Sequence, residues 1–533
     1  MEYSQGGKTA AGRYEQLASA RSTFEREAKD SSKLTLPSLI PESTTGTRAK
    51  INTPFQAVGA KAVNSLASKL LITLLPPSTA FFKLTIDQLQ LMQEGQSEIQ
   101  SEIDKGLRAY ENALMDEIEV SNDRVAMFEA LKHLIVGGNV LLYLTEKGLK
   151  VYPLSKFVSK RDSVGNVLEI ITKESISPKA LDPKFLSQIQ QKDNYDEKSM
   201  GDEIDIYTCI KRYGDDFMWH QECKGEKIPG SDGRSKVDAS PWIGPIRFVR
   251  IDGEDYGRGY VEEYRGDLIS LEALTQSVIE GAAASAKVLF LVNPNGQTRA
   301  ATLAKAPNGA VREGSAADIS VMQVGKQGDF AVAQQAMQRI ESRLADAFLM
   351  ASSIQRQAER VTAAEINVMA QELENSLGGT YSILSQEFQI PFLKRRMHMM
   401  VRSGKVKALP EKLVKPKIVT GIQGLGRGND RNKLIEFIGT VAQALGPDVM
   451  RQFVNVDEAV KRLATSIGID TTNLIKTAEQ IAEEQQQAQQ QQLIQSLGPA
   501  ALGSKLLDPK NNAQAQQLTE ELNANQEEVS PEG

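Results

Sequence analysis

The sequence is poor in cysteine and histidine and has no excess of positive charge. Cys209 and Cys223 are the only cysteines and have no ligand cluster near them, so neither a disulfide scaffold nor a zinc site is expected. This thiol usage favours a reducing intracellular setting. The net charge of −6 argues against a protein that grips nucleic acid by a basic face, because Lys and Arg neutralise phosphates in such complexes.

Long hydrophobic runs are also absent. The most apolar stretch, residues 66–75, is interrupted by Ser68, Lys69 and Thr73 and is followed by two prolines, so it is too short to cross a membrane. Met1 is followed by polar residues, which predicts no signal peptide. The 533 residues, 41% of them hydrophobic, are enough for two to four globular domains.

Two glycine-rich stretches imitate nucleotide-binding loops but are incomplete. Residues 6–9, Gly-Gly-Lys-Thr, end like a phosphate-binding loop, yet Glu2 stands where an earlier glycine is needed and no strand can precede it. Gly424, Gly426 and Gly428 have the wrong spacing for a dinucleotide fingerprint, since Asn429 occupies the place of the third glycine. We therefore expect a flexible terminus and a tight crossover loop.

The carboxylates and histidines form no catalytic or metal-binding pattern. The acidic residues within 202–205 and 252–255 stand beside turn signals, which favours solvated loops over hard-metal ligands. His133, His220 and His398 are scattered along the chain and fit neither a zinc site nor a nucleophile-activating arrangement. The sequence predicts no enzyme, no cofactor and no metal.

The amino-terminal part predicts a body of helices followed by strands. Helical periodicity marks a helix from Tyr14 and three more, at 54–75, 99–118 and 122–136, the last ending at Gly137 and Gly138. A hairpin over 140–152 follows, with its turn at 146–148. Further strands are predicted at Val167–Thr172, Ile204–Arg212, Phe217–Glu222 and Ile246–Ile251.

The second half predicts two helices that enclose a β-rich insert. Leu268, Leu271, Thr275, Val278 and Ala282 share one face of the first helix. On the second, the residues predicted to face inward are Ala333, Met337, Ile340, Leu344 and Ala347. A capping box of Thr362 and Glu365 then starts a long helix that Gly378, Gly379 and Pro391 interrupt.

After a strand at 417–420, the sequence predicts helices that end in a glutamine-rich segment. Leu434, Phe437, Val441 and Leu445 indicate one helix, and two more cover 457–467 and 471–497. The heptad step of Leu474, Ile481 and Ala488 leaves self-association and a plain solvated helix equally open. The polar tail, 501–533, has the composition of a disordered segment.

Two segments carry a resemblance to a known family. The first runs from Pro241 through Trp242, Arg247 and Arg250 to Asp252-Gly-Glu-Asp-Tyr-Gly-Arg-Gly and the helix at Glu262. The second is Arg360-Val-Thr-Ala-Ala-Glu-Ile with Glu372-Leu, Leu377-Gly, Tyr381, Leu384, Glu387 to Pro391, Arg395 and Arg396. Together they resemble the portal, or head-to-tail connector, proteins of short-tailed bacteriophages of the podovirus, autographivirus-like type, over residues 10 to 470.

The resemblance implies an α+β, portal-type fold in a ring oligomer. The implied parts are an α/β wing (1–260), a first stem helix (261–286), a β-rich clip (287–327), a second stem helix (328–348), a tunnel loop (349–361), a long kinked helix returning to the wing (362–446) and a helical crown (447–500). The order of elements read from periodicity is the same.

The resemblance also implies a role and candidate residues. The chain would form a dodecamer at one capsid vertex, a conduit for double-stranded DNA in packaging and ejection. The implied partners are the terminase large subunit, tail adaptor or nozzle proteins, major capsid and scaffolding proteins and internal core proteins, without membrane contact, after assembly in the host cytoplasm. The candidate channel residues are Gln355, Arg356, Gln357, Arg360, Arg339 and Arg343. The candidate clip residues, which would pair between subunits, are Leu289, Leu291, Val292, Ile319, Val321 and Val324.

Alternative interpretations remain open at this point. A salt bridge from Arg339 or Arg343 to Glu341 of a neighbouring subunit is as good an explanation of those arginines as DNA contact. A non-viral helical scaffold without a DNA role would assemble into small oligomers with no central channel. A nucleic-acid motor component would need a phosphate loop or a carboxylate and metal constellation that the sequence lacks.

Overall fold

The structure is a computed structural model of the chain. It describes residues 9–41, 51–77, 80–86, 100–193, 203–285, 289–307, 309–322, 327–350, 363–377, 379–409, 414–418, 435–443 and 459. Two compact units divide at the bond between Arg427 and Gly428. In the second unit residues 435–443 are helical, which confirms the helix predicted around Phe437 and Val441. The glycine loop at 424–428, the predicted crown apart from residue 459, the glutamine-rich helix and the tail lie outside the described residues.

The first unit combines helices with several small sheets. Its helices are α1 (Ala10–Leu34), α2 (Val58–Leu74), α3 (Gln100–Val120), α4 (Asp123–Gly137), α5 (Pro183–Asp193), α6 (Tyr260–Glu263), α7 (Arg265–Ser285), α8 (Ala300–Ala304), α9 (Gln327–Ala347), α10 (Ala363–Leu377), α11 (Thr380–Leu384) and α12 (Ile390–Arg402). Within the described residues, no helix is both long enough and apolar enough to span a membrane.

Within the described residues the strands form four sheets, all with antiparallel pairing. The strands are β1 (Phe82–Ile86), β2 (Asn139–Thr145), β3 (Gly148–Pro153), β4 (Phe157–Arg161), β5 (Val167–Ile176), β6 (Ile204–Tyr213), β7 (Asp216–Cys223), β8 (Glu226–Lys227), β9 (Gly233–Lys236), β10 (Trp242–Arg247), β11 (Leu289–Val292), β12 (Ile319–Met322) and β13 (Val414–Ile418). One sheet has the order β4-β5-β6-β7-β8, with β9 also on β7; the others are β10-β2-β3, β1-β13 and β11-β12.

One large apolar core joins the helices to the β10-β2-β3 sheet. Leu66, Leu70 and Leu74 of α2 are fully buried, as are Leu131 and Leu134 of α4, and the two helices pack together. α4 ends where its glycines predict. At Gly138 φ is +73°, and a Cβ atom there would lie 2.3 Å from the Arg258 backbone, so the close approach requires glycine.

The strand predictions are confirmed with shifted ends. The hairpin at 140–152 is β2 and β3, and the next three predicted strands correspond to β5, β6 and β7. The strand predicted at Ile246–Ile251 is wrong in its bounds, since β10 begins at Trp242 and ends at Arg247. Its register shifts between Ile243 and Ile246, where Pro245 has no N–H to donate. The strand predicted at 417–420 is β13, which starts earlier because it pairs with the unpredicted β1.

The long helix is interrupted beside Gly379 and changes its hydrogen-bond pattern just before Pro391. α10 ends at Leu377, and α11 is followed by a π-helical turn, Ser385–Gln389, that leads directly into α12. Pro391 lies in the first turn of α12, where its missing N–H leaves a gap in the helical hydrogen bonds. A π turn is a common way to accommodate such a gap.

Candidate functional site, the helix pair and its strand insert

The helix pair, α7 and α9, has the apolar stripes that its periodicity predicts. On α7, Leu268 and Leu271 are buried, Thr275 and Val278 are half-buried, and Ala282 is exposed. On α9, Ile340 and Leu344 are buried. Burial therefore concentrates at the end of the pair that joins the body of the unit and fades toward the strand insert, residues 289–322.

Three contacts define the packing of the two helices. Near the body, Arg343 Nη2 donates to Asp267 Oδ1 at 2.7 Å. In the middle, Thr275 Oγ1 lies 3.8 Å from Met337 Sδ. Farther out, a Cβ atom on Gly281 would lie 2.7 Å from the Phe330 ring. Residue numbers rise along α7 as they fall along α9, so the two helices are antiparallel.

An aromatic cluster closes the base of the pair. The rings of Tyr260 and Tyr264 lie 5.1 Å and 5.4 Å from that of Phe348, and the Tyr260 hydroxyl donates to the Ala347 carbonyl at 3.1 Å. Burial raises the pKa of Tyr260, so its hydroxyl remains a donor over the working pH range. The short helix before α7 is thus tied to the end of α9.

Polar contacts hold α7 to the body. The Glu272 carboxylate accepts hydrogen bonds from the backbone amides of Phe55 and Gln56, at 2.9 Å and 3.1 Å. Arg265, at the first turn of α7, pairs with Glu27 of α1. These contacts orient the first helix of the pair from two separate segments of the body.

The strand insert is built on a short antiparallel pair. Leu291 of β11 faces Ser320 of β12, and Val292 faces Ile319. The candidate clip residues Leu289, Leu291, Val292, Ile319 and Val321 all lie on these strands, whereas Val324 lies outside the described residues. In the described part of the chain β11 and β12 pair only with each other, so the outer edge of each is open.

A side-chain network organises the loop between these strands. Thr298 is 5% exposed, and both its amide and its hydroxyl donate to Asp318 Oδ2 at 3.1 Å. The Thr298 hydroxyl also accepts the Ser315 amide at 2.9 Å. Because one carboxylate and one hydroxyl hold both ends of the loop, the insert has internal order despite its exposure.

The candidate channel residues have different placements. Gln355, Arg356, Gln357 and Arg360 lie outside the described residues. Arg339 is exposed on α9 and has no ion pair with the part of the chain that the structure describes. Arg343 pairs with Asp267 of the same chain while its side chain stays 63% exposed, an arrangement that the sequence did not predict.

In the motifs that resemble phosphate-binding or metal-binding sites, the described side chains make structural contacts. Thr9 is the N-cap of α1, its hydroxyl accepting the Gly12 amide at 3.2 Å, and residues 6–8 lie outside the described ranges. Asp255 binds Lys160, and Glu254 binds Arg258. Among the residues that the structure describes, no group of His, Cys, Asp or Glu could hold a metal ion.

His133, His220 and the two cysteines also lie in structural rather than catalytic surroundings. His133 is buried in α4, and His220 lies 2.9 Å from Glu222. Cys209 and Cys223 are free thiols in β6 and β7, and burial raises the pKa of Cys209 to about 12. A thiol so far from ionisation is a poor nucleophile.

The two segments that carry the family resemblance meet in space. Arg247 of β10 donates from its amide and from its guanidinium to the two oxygens of Glu387, each at 2.9 Å. Glu387 lies in the π turn of the long interrupted helix. The segment before the helix pair and the long interrupted helix after the pair are therefore joined by this two-oxygen contact. Arg247 is only 2% exposed, so the contact is buried.

A family model described as "Bacteriophage head to tail connecting protein" matches residues 7–475. The chain belongs to this family. Its membership confirms the resemblance to phage connectors and makes this connector a structural protein of the phage particle that joins head and tail. A head-to-tail connector also implies capsid and tail partners and assembly as a ring.

Several curated portal proteins are similar to this connector over most of its length. That of Escherichia phage T7 is 40% identical over 499 residues, covering 92% of each chain. That of Enterobacteria phage T3 is 41% identical over 483 residues, covering 89% of each chain. That of Pseudomonas phage phiKMV is 28% identical over 490 residues, covering 91% of this chain and 94% of its own.

A solved structure, the neck of an empty gene transfer agent particle, aligns with 78% of this chain and 90% of its own at 14% identity and a TM-score of 0.34. A likeness at this level carries no argument about function or about the finer features of the fold.

Sequence reasoning missed the contacts that hold the connector's helix pair in place. Glu272 and Lys69 act on backbone groups far along the chain, and no motif marks either of them. The one available signal was Lys69 itself, a charged residue inside the most apolar run of the sequence.

Proposed function

We propose that twelve copies of this connector form a ring whose helix pairs surround a channel for double-stranded DNA. The proposal rests on the apolar side chains that the helix pair leaves uncovered. Ile269 and Ile279 of α7 are 52% and 47% exposed, and Val332 of α9 is 69% exposed. A neighbouring helix pair would bury them, as expected of a closed assembly.

Elementary geometry supports a channel of the required width. Twelve helices about 10 Å apart span a circumference of about 120 Å, hence a diameter of about 38 Å between axes. Subtracting a helix width of about 10 Å leaves an opening of about 28 Å. B-form DNA, about 20 Å across, passes through it.

The charge suits a conduit that must not hold its cargo. Each tight phosphate contact would raise a barrier to sliding, so a net charge of −6 with few cations at the bore favours passage. The proposed channel contacts are Gln355, Arg356, Gln357, Arg360, Arg339 and Arg343. For Arg343, the Asp267 partner already neutralises part of the charge.

The strand insert is proposed as the clip. Its short strands have open outer edges in the described residues, and Leu291 is 53% exposed, so strands of adjacent copies can extend the sheet around the ring. Its outer end is the proposed docking surface for the terminase large subunit during packaging and for tail adaptor or nozzle proteins afterwards. We also propose that the connector assembles with capsid, scaffolding and internal core proteins in the host cytoplasm and that it has no enzymatic role.

Electron microscopy of the purified protein with mass determination tests the ring. Rings of about twelve copies with an open centre are expected. The double substitution of Ile279→Ser and Val332→Ser should raise the concentration needed for ring formation at least about tenfold, because each buried aliphatic side chain contributes about 1.5–3 kcal/mol.

Val164→Ser is the matched control, since Val164 is 72% exposed but lies between β4 and β5 in the body. If the unaltered chain, the double variant and the control all formed rings equally well, the exposed side chains of the helix pair would not be buried between copies. Monomers or small closed oligomers of the unaltered chain would overturn the ring proposal itself.

A further inference from the structure

Lys69 is a buried lysine in the middle of α2. Lys69 is 8% exposed and lies between the fully buried Leu66 and Leu70. Burial lowers the pKa of Lys69, and the nearby Glu372 carboxylate opposes that effect. A buried ammonium group is stable only where it has acceptors, so its contacts are informative.

The Lys69 ammonium contacts the chain on both sides of residues 351–362. Its Nζ atom donates to the backbone carbonyl of Leu349 at 2.6 Å, just after α9. It also lies 3.9 Å from Glu372 Oε2, which belongs to α10. One side chain of the body therefore connects the end of one helix to the helix that follows it.

The end of α9 has a backbone conformation that is unusual for leucine. Leu349 has φ of +55°, in the left-handed region. The Leu349 amide donates to Asp346 O at 3.1 Å and the Met350 amide to Ala345 O at 2.7 Å, which are the two bonds of a Schellman motif. Glycine usually occupies this position because a side chain makes the left-handed conformation costly.

The Lys69 ammonium group offsets the cost of the left-handed conformation by binding the Leu349 carbonyl. The carboxyl end of a helix carries a partial negative charge and carbonyls without intrahelical partners, so a cation there is favourable. Leucine, unlike glycine, also packs into the core, since Leu349 is 9% exposed. The site thus combines a buried side chain, a left-handed backbone and a buried ammonium group that binds its carbonyl.

We propose that Lys69 is a positioning residue that sets where α9 ends and where α10 lies relative to that end. Its ammonium group holds Leu349 in the left-handed conformation and, through Glu372, keeps α10 beside the same point. The importance of this junction for DNA passage rests on the function proposed above. The junction itself can be tested without rings or DNA.

Hydrogen–deuterium exchange in the full chain, read by mass spectrometry on peptides covering 341–350, tests this role. Lys69→Met should speed exchange of the Leu349 and Met350 amides about tenfold, because a hydrogen bond from a charged group is lost. Lys69→Arg, which keeps a charged donor, should recover most of the protection. Lys61→Met is the control, as Lys61 is exposed on the same helix.

A second substitution separates positioning from simple filling of the core. Glycine adopts positive φ without cost, so Leu349→Gly should make these amides insensitive to Lys69→Met. Unchanged exchange in Lys69→Met would overturn the proposal. So would a double variant whose amides exchange about tenfold faster than those of Leu349→Gly alone, since Lys69 would then act by packing rather than on the conformation of residue 349.

Discussion

The body of the first unit and its helix pair have opposite relations to solvent. In the body, charged groups are buried with partners, as in the Arg396–Asp123 pair, where both side chains are 0% exposed. Between Leu271 and Ile340, by contrast, Thr298 alone is buried among the residues whose side chains the structure describes. The body therefore has its own core, whereas the helix pair and strand insert have surfaces that a neighbouring copy can complete.

This difference means that stability and assembly are encoded in different places. A substitution in the body should act on unfolding, because it disturbs a closed core. A substitution on the outer helix pair should leave unfolding nearly unchanged and act through contacts between copies. Substitutions and pH changes of graded effect can therefore test the contrast.

The largest effect is expected at the buried ion pair. Asp123→Asn leaves the Arg396 guanidinium charged and fully buried, so the free energy of unfolding should fall by about 4 kcal/mol. Chemical unfolding followed by circular dichroism measures the change. Asp215→Asn, at an exposed position, is the control and should be nearly neutral. Equal stability of the two variants would show that the body core does not depend on this pair.

An intermediate effect is expected from acid. Burial, reinforced by the charge of Lys132, lowers the pKa of His133 from 6.5 to about 4, although Glu129 lies 4.0 Å from its ring. Since the unfolded chain binds this proton first, the stability should be nearly constant above about pH 7.5 and should fall by about 2 kcal/mol between pH 7 and pH 5.

Thermal unfolding across this pH range measures that dependence, and His133→Gln provides the comparison. The variant should show a flatter profile than the unaltered chain over the same interval. If the pH profiles of the variant and the unaltered chain were parallel, the acid sensitivity would come from groups other than His133.

The smallest effect is expected on the helix pair. Arg343→Ala removes an ion pair whose arginine is 63% exposed, so the free energy of unfolding should change by less than about 1 kcal/mol. Chemical unfolding in low and high salt measures it, with Arg339→Ala as the matched substitution on the same helix. A loss as large as that of Asp123→Asn would contradict the contrast between the two regions.

Periodicity along the chain was sufficient for most local elements. The stripes on α7 and α9, the hairpin at 140–152 and the interruption between α10 and α11 all follow from residues that are neighbours in sequence. Two of the missed or displaced elements depended on a distant partner. β1 was missed because its partner, β13, lies more than three hundred residues away, and the start of β13 was misplaced for the same reason.

The same division applies to function. The sequence alone determined the order of the parts, the family resemblance and the lack of a recognisable catalytic motif, because these depend on residue type and spacing. Only the tertiary structure decided that Arg247 meets Glu387 and that Lys69 caps the Leu349 carbonyl. Those contacts join residues separated by 140 and 280 positions. Both contacts are hydrogen bonds from a buried charged group, which the low local dielectric strengthens and which no local pattern records.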